Sequence, residues 1–175
     1  DRRDWYEAPQ ATMWEGPYRH HIEKRIAYVE RILGEHYRHA THPVTLLDIG
    51  CGDGAHFSWL SKFADVLYGS DYNLLRLQRA VRYPEVTRVF LADITDYPVA
   101  DSVVDVIFLN HVLEHVVDDE RALAEVHRVL KPGGLVLLGV PNEGVFFWQL
   151  AYTLQPRARA TTDHVHFYTR RTISR

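Results

Sequence analysis

The chain has 175 residues, of which 46% are hydrophobic and 25% charged, and its formal net charge is −3. This composition predicts one globular domain and excludes a disordered chain, a collagen-like repeat and a coiled coil. The charge gives no overall basic field for nucleic acid, and the single cysteine excludes an internal disulfide and a cysteine-based zinc site. Without a secretory signal or an apolar run of about 20 residues, we expect a cytoplasmic protein with no membrane span.

Residues 1–42 are predicted to form a helical extension. Its apolar residues recur at helical spacing, at Ile22, Ile26, Val29 and Leu33. This helix is expected to end at Gly34 or within residues 39–43. The aromatic residues before it are candidates for a lid over a binding pocket, and they fit packing on neighbouring helices equally well. They are Trp5, Tyr6, Trp14 and Tyr18.

From residue 44 onwards, short apolar runs alternate with helical patterns. The runs predict strands at residues 44–49, 66–69, 86–91, 103–109 and 135–140. The helices between them are expected to begin near Phe57, after Asn73, and after Asp118 or Asp119, with Pro132-Gly133-Gly134 stopping the last one. This order predicts an α/β fold, a doubly wound Rossmann-like and mostly parallel sheet over residues 43–175. Ligands are expected at the carboxyl ends of its strands.

The strongest functional signal is a glycine-rich loop, residues 50–54, between the first strand and the next helix. Glycines permit a sharp turn and a close ligand approach, and the N–H groups at a helix start can bind a polar ligand group. Asp71 follows the second strand and lies 71 − 52 = 19 residues after Gly52. An acidic residue near this spacing accepts hydrogen bonds from the ribose hydroxyl groups in such folds. The glycine spacing departs from G-x-G-x-x-G, and Asp48 and Asp53 bracket the loop with negative charge. A nucleoside carrying a positive group therefore fits better than NAD.

Together with four further stretches, this loop resembles the class I S-adenosylmethionine-dependent methyltransferases. The stretches are Asp71, Ala92-Asp93-Ile94, Asn110-His111-Val112-Leu113-Glu114-His115 and Leu130-Lys131-Pro132-Gly133-Gly134. The chain is most similar to a small-molecule branch whose fourth strand runs into a Leu-Glu-His-Val motif. The resemblance covers about residues 44–142. That family has seven strands, so the core at residues 43–175 is expected to lack the C-terminal strands.

The resemblance implies S-adenosylmethionine as the cofactor and a set of residues that bind it. The loop glycines and Asp48 would hold the methionine part, and the asparagine after the fourth strand would lie beneath it. Asp71 would bind the ribose diol, Tyr72 would flank the adenine, and Asp93 and Ile94 would bind the adenine edge. The full set is Asp48, Gly50, Cys51, Gly52, Gly54, Asp71, Tyr72, Asp93, Ile94 and Asn110.

The implied activity is transfer of the methyl group to a small-molecule acceptor by direct in-line displacement, at an oxygen, nitrogen or carbon atom. A general base is optional, and His115 and Glu114 are the candidate catalytic residues. Each also has a structural interpretation: His115 could pack over the cofactor, and Glu114 could be a structural carboxylate at the start of a helix. His164 and His166 are candidates for the acceptor wall, and no bound metal is expected.

Three other functions fit parts of the pattern. A cofactor-binding regulatory or partner domain without turnover would carry the same motifs, because the motifs report binding. An NAD-dependent oxidoreductase is disfavoured by the glycine spacing. His111 to His115 also matches the H-x-x-E-H pattern of inverted zinc peptidases, which needs both histidines on one helix. A nucleic-acid substrate is disfavoured, because Asn110 is not followed by a proline-aromatic pair that could grip a base.

Overall fold

The computed structural model describes residues 19–38, 40–146, 153–154 and 163–173. Helices and strands alternate along it from residue 45 to residue 139. The elements are α1 (Arg19–Tyr37), β1 (Thr45–Ile49), α2 (Phe57–Leu60) with a 3₁₀ turn (Ser61–Phe63), β2 (Val66–Asp71), α3 (Leu74–Ala80), β3 (Arg88–Leu91), β4 (Val104–Asn110), a second 3₁₀ turn (Leu113–His115), α4 (Asp119–Val129) and β5 (Leu130–Gly139).

The five strands form one sheet in the order β3-β2-β1-β4-β5. All four neighbouring pairs are parallel, which confirms the predicted doubly wound α/β fold. The chain runs outward from β1 through β2 to β3, and then crosses back to β4 on the other side of β1. This reversal opens a crevice at the carboxyl ends of β1 and β4, the place where such sheets bind ligands.

The sheet separates two apolar cores. Residues 104–109 of β4 are buried throughout, as an almost wholly apolar run predicts for a strand covered on both faces. One core joins the sheet to α1, α2 and α3, and it includes Val29, Leu33, Leu46, Phe57, Leu60, Leu77 and Val106. The other joins it to α4 and the second 3₁₀ turn, and it includes Leu47, Ile107, Leu109, Leu113, Ala122 and Val126.

Helix α1 packs against the first core through Val29 and the fully buried Leu33. It continues through Gly34 and ends at Tyr37, so the predicted end at Gly34 was wrong, and the helix stops just before the other predicted end at residues 39–43. In the described part of the chain, no helix is both long enough and apolar enough to cross a membrane. The predicted division at residue 42 stays a prediction, and the four candidate lid aromatics lie outside the described residues.

Two side chains cap helices as predicted. Asn73 accepts hydrogen bonds from the backbone of Leu75 and Arg76 at the start of α3. Asp118 accepts one from the backbone of Arg121 at the start of α4, so the cap is Asp118 and not Asp119. Each bond satisfies an N–H group that lacks a partner inside the helix.

The last strand begins earlier than predicted. Helix α4 ends at Val129, and β5 starts at once, with Leu130 opposite Val104. Residues 132–134 therefore lie inside the strand, in an irregular stretch where Gly133 has φ +78°. The prediction that these residues stop the helix and precede the strand was wrong. Pairing with β4 holds the chain extended before the proline is reached.

Candidate functional site

The glycine-rich loop closes against the end of β2. Gly50, Gly52 and Gly54 have φ values of +71°, +55° and +87°, a region that residues with a Cβ adopt only at a cost. The N–H groups of Gly50 and Cys51 both donate to the carbonyl of Ser70, at 2.8 and 2.9 Å. The three glycines therefore shape the tight turn that their spacing predicts.

Asp71 links the loop to the end of β2. Its Oδ2 accepts a hydrogen bond from Gly52 N at 2.9 Å, and its Oδ1 accepts one from Asn73 N at 2.8 Å. Burial raises the pKa of Asp71, and these two backbone bonds partly oppose that shift. The two backbone bonds fix the carboxylate in place. Because each of its oxygens has a second lone pair, it can still accept hydrogen bonds from the two hydroxyl groups of a diol.

Asp48 places a second carboxylate beneath the loop, at the end of β1. It is buried, and its Oδ2 has no hydrogen-bond partner among the described residues. Burial and the nearby charge of Asp71 raise the pKa of Asp48 well above its usual value. A buried polar atom without a partner is costly, and a bound ammonium group would supply one.

Asp53 adds negative charge beside the loop, as its charge raises the pKa of Asp71 and Cys51, but two arginines partly offset it. Its carboxylate lies 3.6 Å from Arg76 Nη1 and 3.4 Å from Arg79 Nη1, both on α3. Burial also raises the pKa of Cys51, which keeps its side chain a neutral thiol within the loop.

The residues predicted to bind adenine follow β2 and β3. Tyr72 is 63% exposed, and Ile94 is buried in the second core. Asp93 is exposed, and its Oδ1 accepts from both the backbone and the hydroxyl of Thr95 at 2.8 Å. These bonds hold the pKa of Asp93 below its usual range, so the group is an ionised acceptor at neutral pH.

Arg25 of α1 reaches the same crevice and was missed in the sequence analysis. Its Nη1 donates to Oδ1 of Asn110, the last residue of β4, at 3.1 Å. Burial lowers the pKa of Arg25. The two residues are 85 positions apart, and nothing in the local pattern of α1 singles out this arginine from its other charged residues.

His56 follows the loop as a largely buried imidazole. Its ring packs edge-on against Trp59 and Phe108, with centroids 5.7 and 5.1 Å away. Its Nδ1 is 3.3 Å from Nε1 of Trp59, which donates the hydrogen bond. Burial first, and then the charges of Arg25 and His111, lower the pKa of His56 to about 4. The folded protein therefore holds this ring neutral at pH 7.

Acidification should lower the free energy of unfolding through His56. The folded-state pKa of about 4 lies below the usual 6.5, so this contribution is complete above pH 6.5 and is lost as the pH falls through 4. We expect a loss of about 2 kcal/mol from this residue between pH 7 and pH 5. His56→Phe should flatten the pH dependence measured by urea unfolding, and carboxylates common to both proteins cancel in the comparison. Equal slopes for the two proteins would contradict the assignment.

The two histidines of the H-x-x-E-H pattern do not share a helix. His111 has φ +57° and follows β4 directly, whereas His115 ends the second 3₁₀ turn. Between them the Glu114 side chain is fully buried, with Oε1 3.1 Å from His111 Nδ1 and 3.9 Å from His115 Nε2. The structure therefore lacks the helical arrangement that an inverted zinc peptidase requires.

Residues 163–168 pack against this turn. The N–H groups of Val165 and His166 donate to the carbonyl of Glu114, at 2.8 and 3.2 Å. Nδ1 of His164 lies 3.1 Å from Oε1 of Glu143, a buried acid that the sequence analysis did not single out. The structure thus brings His115 and His164 together, with ring centroids 5.0 Å apart.

The fold is that of an α/β domain with a crevice at the switch point of its sheet, the place where such domains bind nucleoside cofactors. The sequence profile of a family described as a methyltransferase domain matches residues 47–138, more than half of the chain. The chain therefore belongs to this methyltransferase family, which confirms the resemblance and makes S-adenosylmethionine the cofactor of the domain. The buried, partnerless oxygen of Asp48 and the anchored Asp71 fit its ammonium and ribose groups.

Proteins similar to this chain include a probable S-adenosylmethionine-dependent methyltransferase of Mycolicibacterium smegmatis, 32% identical over 58% of this chain and 39% of the relative. A malonyl-[acyl-carrier protein] O-methyltransferase of Hamiltonella defensa is 36% identical over 53% of this chain and 36% of the relative. The chain thus spans about two-fifths of these relatives. The crystal structure of YcgJ from Bacillus subtilis shares the fold, with a TM-score of 0.63 and 23% identity over 81% of this chain and 64% of YcgJ.

Proposed function

We propose that the chain catalyses transfer of a methyl group from S-adenosylmethionine to a small-molecule acceptor. The observation that carries the proposal is the bond from Gly52 N to Asp71 Oδ2, which fixes the loop and the acid of β2 as one unit. A nucleoside and an amino acid can then be held by neighbouring parts of the same crevice. When bound, S-adenosylmethionine supplies an activated methyl group on a sulfonium.

Different residues of the crevice are assigned to different parts of the cofactor, and one group binds its nucleoside end. Asp71 accepts from the ribose diol, Tyr72 covers one face of the adenine, and Asp93 with the buried Ile94 borders its edge. The ionised state of Asp93 suits a bond from the adenine amino group. Together these contacts fix the nucleoside end and leave the sulfonium near the carboxyl ends of β1 and β4.

The amino-acid end of the cofactor carries opposite charges, and the crevice offers a partner for each. Asp48 supports the loop of Gly50, Cys51, Gly52 and Gly54 and pairs with the ammonium group. Arg25, held by Asn110, provides a cation for the carboxylate. Because in-line displacement depends on the position of the methyl group, this two-point binding is the main catalytic contribution of the domain.

The acceptor is proposed to approach beside the turn after β4, where His115 and Glu114 lie. The relative from Hamiltonella defensa is named as an O-methyltransferase of malonyl-[acyl-carrier protein], so its name gives an oxygen atom as the acceptor. An oxygen acceptor on a small molecule is therefore the class to test first. Nucleic acid is not the proposed substrate, because a net charge of −3 provides no overall basic field for it.

Calorimetric titration with S-adenosylhomocysteine, with NAD as the control ligand, tests the cofactor assignment. We expect one site of micromolar affinity for the first ligand and none for the second. Transfer of a labelled methyl group to carboxylate, phenol and amine acceptors then tests the reaction. A folded chain that binds neither ligand, or binds both equally, would overturn the proposal. Binding without transfer to any acceptor would favour a regulatory domain.

A further inference from the structure

Three side chains with metal-binding groups meet beside the turn after β4. Glu114 and His115 come from that turn, and His164 comes from the segment at residues 163–168. Each offers one ligand atom, and the three atoms lie within 4.8 Å of one another. Glutamate and two histidines form the ligand set of many catalytic zinc sites and of non-haem iron sites.

Both imidazoles have a carboxylate beside Nδ1. Nδ1 of His115 is 3.4 Å from the backbone carbonyl oxygen of Asp163 and 3.4 Å from its Oδ2, and Nδ1 of His164 is 3.1 Å from Oε1 of Glu143. A neutral imidazole that donates its Nδ1 proton to a carboxylate carries its lone pair at Nε2. Carboxylates orient metal-binding histidines in this way in known sites.

Glu114 supplies an independent observation. Its side chain is fully buried, and its Oε2 has no hydrogen-bond partner among the described residues. Its Oε1 lies 3.1 Å from Nδ1 of His111 and 3.9 Å from Nε2 of His115. A buried carboxylate oxygen without a partner is unfavourable, and a cation beside it would supply one.

We propose that Glu114, His115 and His164 bind one divalent transition-metal ion, with Glu143 and Asp163 orienting the two histidines. Bonds of about 2.1 Å in a tetrahedral site place ligand atoms about 3.4 Å apart. Since the ligand atoms lie up to 4.8 Å apart, the cluster needs to contract by up to about 1.4 Å, which rotation of the side chains can provide. Nitrogen ligands favour zinc or iron over magnesium and calcium, which prefer oxygen.

The ion joins two distant parts of the chain. Val165 and His166 already bond to the carbonyl of Glu114, so the backbone holds residues 163–168 against the turn without the metal. Three protein ligands leave a fourth position open. If the proposed function is correct, that position lies on the acceptor side, where a Lewis acid can bind an oxygen of the acceptor; the metal site itself does not depend on this role.

Zinc binding by the chelator-treated chain tests the proposal. We expect calorimetry to give one ion per chain at micromolar affinity or tighter, and the melting temperature to rise with zinc. His164→Ala should weaken binding by about 100-fold or more and abolish the rise in melting temperature. Cobalt provides a spectroscopic readout, because a tetrahedral site with nitrogen ligands gives visible absorption that His164→Ala should remove.

His166→Ala is the matched control, since it removes a histidine from the same segment that is not one of the three ligands. It should keep the wild-type zinc affinity. Glu143→Ala should weaken binding by about 10- to 100-fold, and Glu143→Gln, which keeps an acceptor for His164, should lose less. Circular dichroism of each metal-free variant shows whether it is folded.

Absence of zinc binding by the folded wild-type chain would overturn the site. Equal loss in His164→Ala and His166→Ala would also overturn it, because it would indicate non-specific binding by exposed histidines. Titration of the same preparations with S-adenosylhomocysteine keeps this result separate from the proposed function. A chain that binds S-adenosylhomocysteine but no zinc would refute the metal site alone.

Discussion

Asp71→Ala should weaken binding of S-adenosylhomocysteine by about 30- to 1000-fold. The substitution removes a carboxylate proposed to accept two hydroxyl groups of the ribose, and charge-assisted bonds of this kind contribute about 2–4 kcal/mol together. It also removes the acceptors for Gly52 N and Asn73 N, so the loop loses its anchor to β2. Calorimetric titration at one fixed ionic strength measures the effect.

Asp65→Ala is a matched control for Asp71→Ala. Oδ2 of Asp65 also accepts a backbone hydrogen bond, from Val44 N at 2.8 Å, but it lies where β1 and β2 begin. We expect Asp65→Ala to lower stability and to leave the affinity for S-adenosylhomocysteine unchanged. Unchanged affinity in a folded Asp71→Ala protein, or the same loss in both variants, would remove Asp71 from the ribose site.

Gly50→Ala should lower the free energy of unfolding by about 2–5 kcal/mol and abolish cofactor binding. A left-handed φ costs a residue with a Cβ about 1–2 kcal/mol, and forcing a methyl group into a packed site adds about 1–3 kcal/mol. At Gly50 the φ is +71°, and a Cβ would lie 2.2 Å from Cγ2 of Val112. Urea unfolding measures the first effect and calorimetry the second.

Gly133→Ala separates the two costs. Gly133 has a similar φ of +78°, but a Cβ there would meet no atom within 4 Å. We expect a loss of about 1–2 kcal/mol and intact cofactor binding. In a double-mutant cycle, Val112→Ala should recover part of the loss caused by Gly50→Ala, since it removes the clashing methyl group. Equal losses at Gly50 and Gly133, with no coupling to Val112, would refute the packing argument.

The cofactor loop was predictable because its determinants are local. Three glycines in five residues impose the left-handed turns, and Asp71 follows on the neighbouring strand. The caps at Asn73 and Asp118 depend on bonds within three residues. Short-range preferences of this kind act on the chain before any tertiary packing.

The contacts of Arg25 and Glu143 were not predictable from the pattern. Arg25 reaches Asn110 across 85 residues, and Glu143 reaches His164 across 21 residues. Asp53 shows the same limit, because its charge is offset by arginines of α3 whose direction depends on how that helix packs. The early start of β5 arises in the same way, since pairing of Leu130 with Val104 determines it.

The two sides of the crevice are completed at different times during synthesis. Gly52 and Asp71, which bond to each other, are 19 residues apart. His115 and its partner Asp163 are 48 residues apart. Contacts between nearby residues form faster than those between distant ones, and the loop and Asp71 leave the ribosome before residues 163–168 do. The loop that holds the cofactor therefore has its partners before the turn after β4 is covered. If residues 163–168 fail to dock, the domain keeps a formed loop but leaves the carbonyl of Glu114 without its two backbone donors.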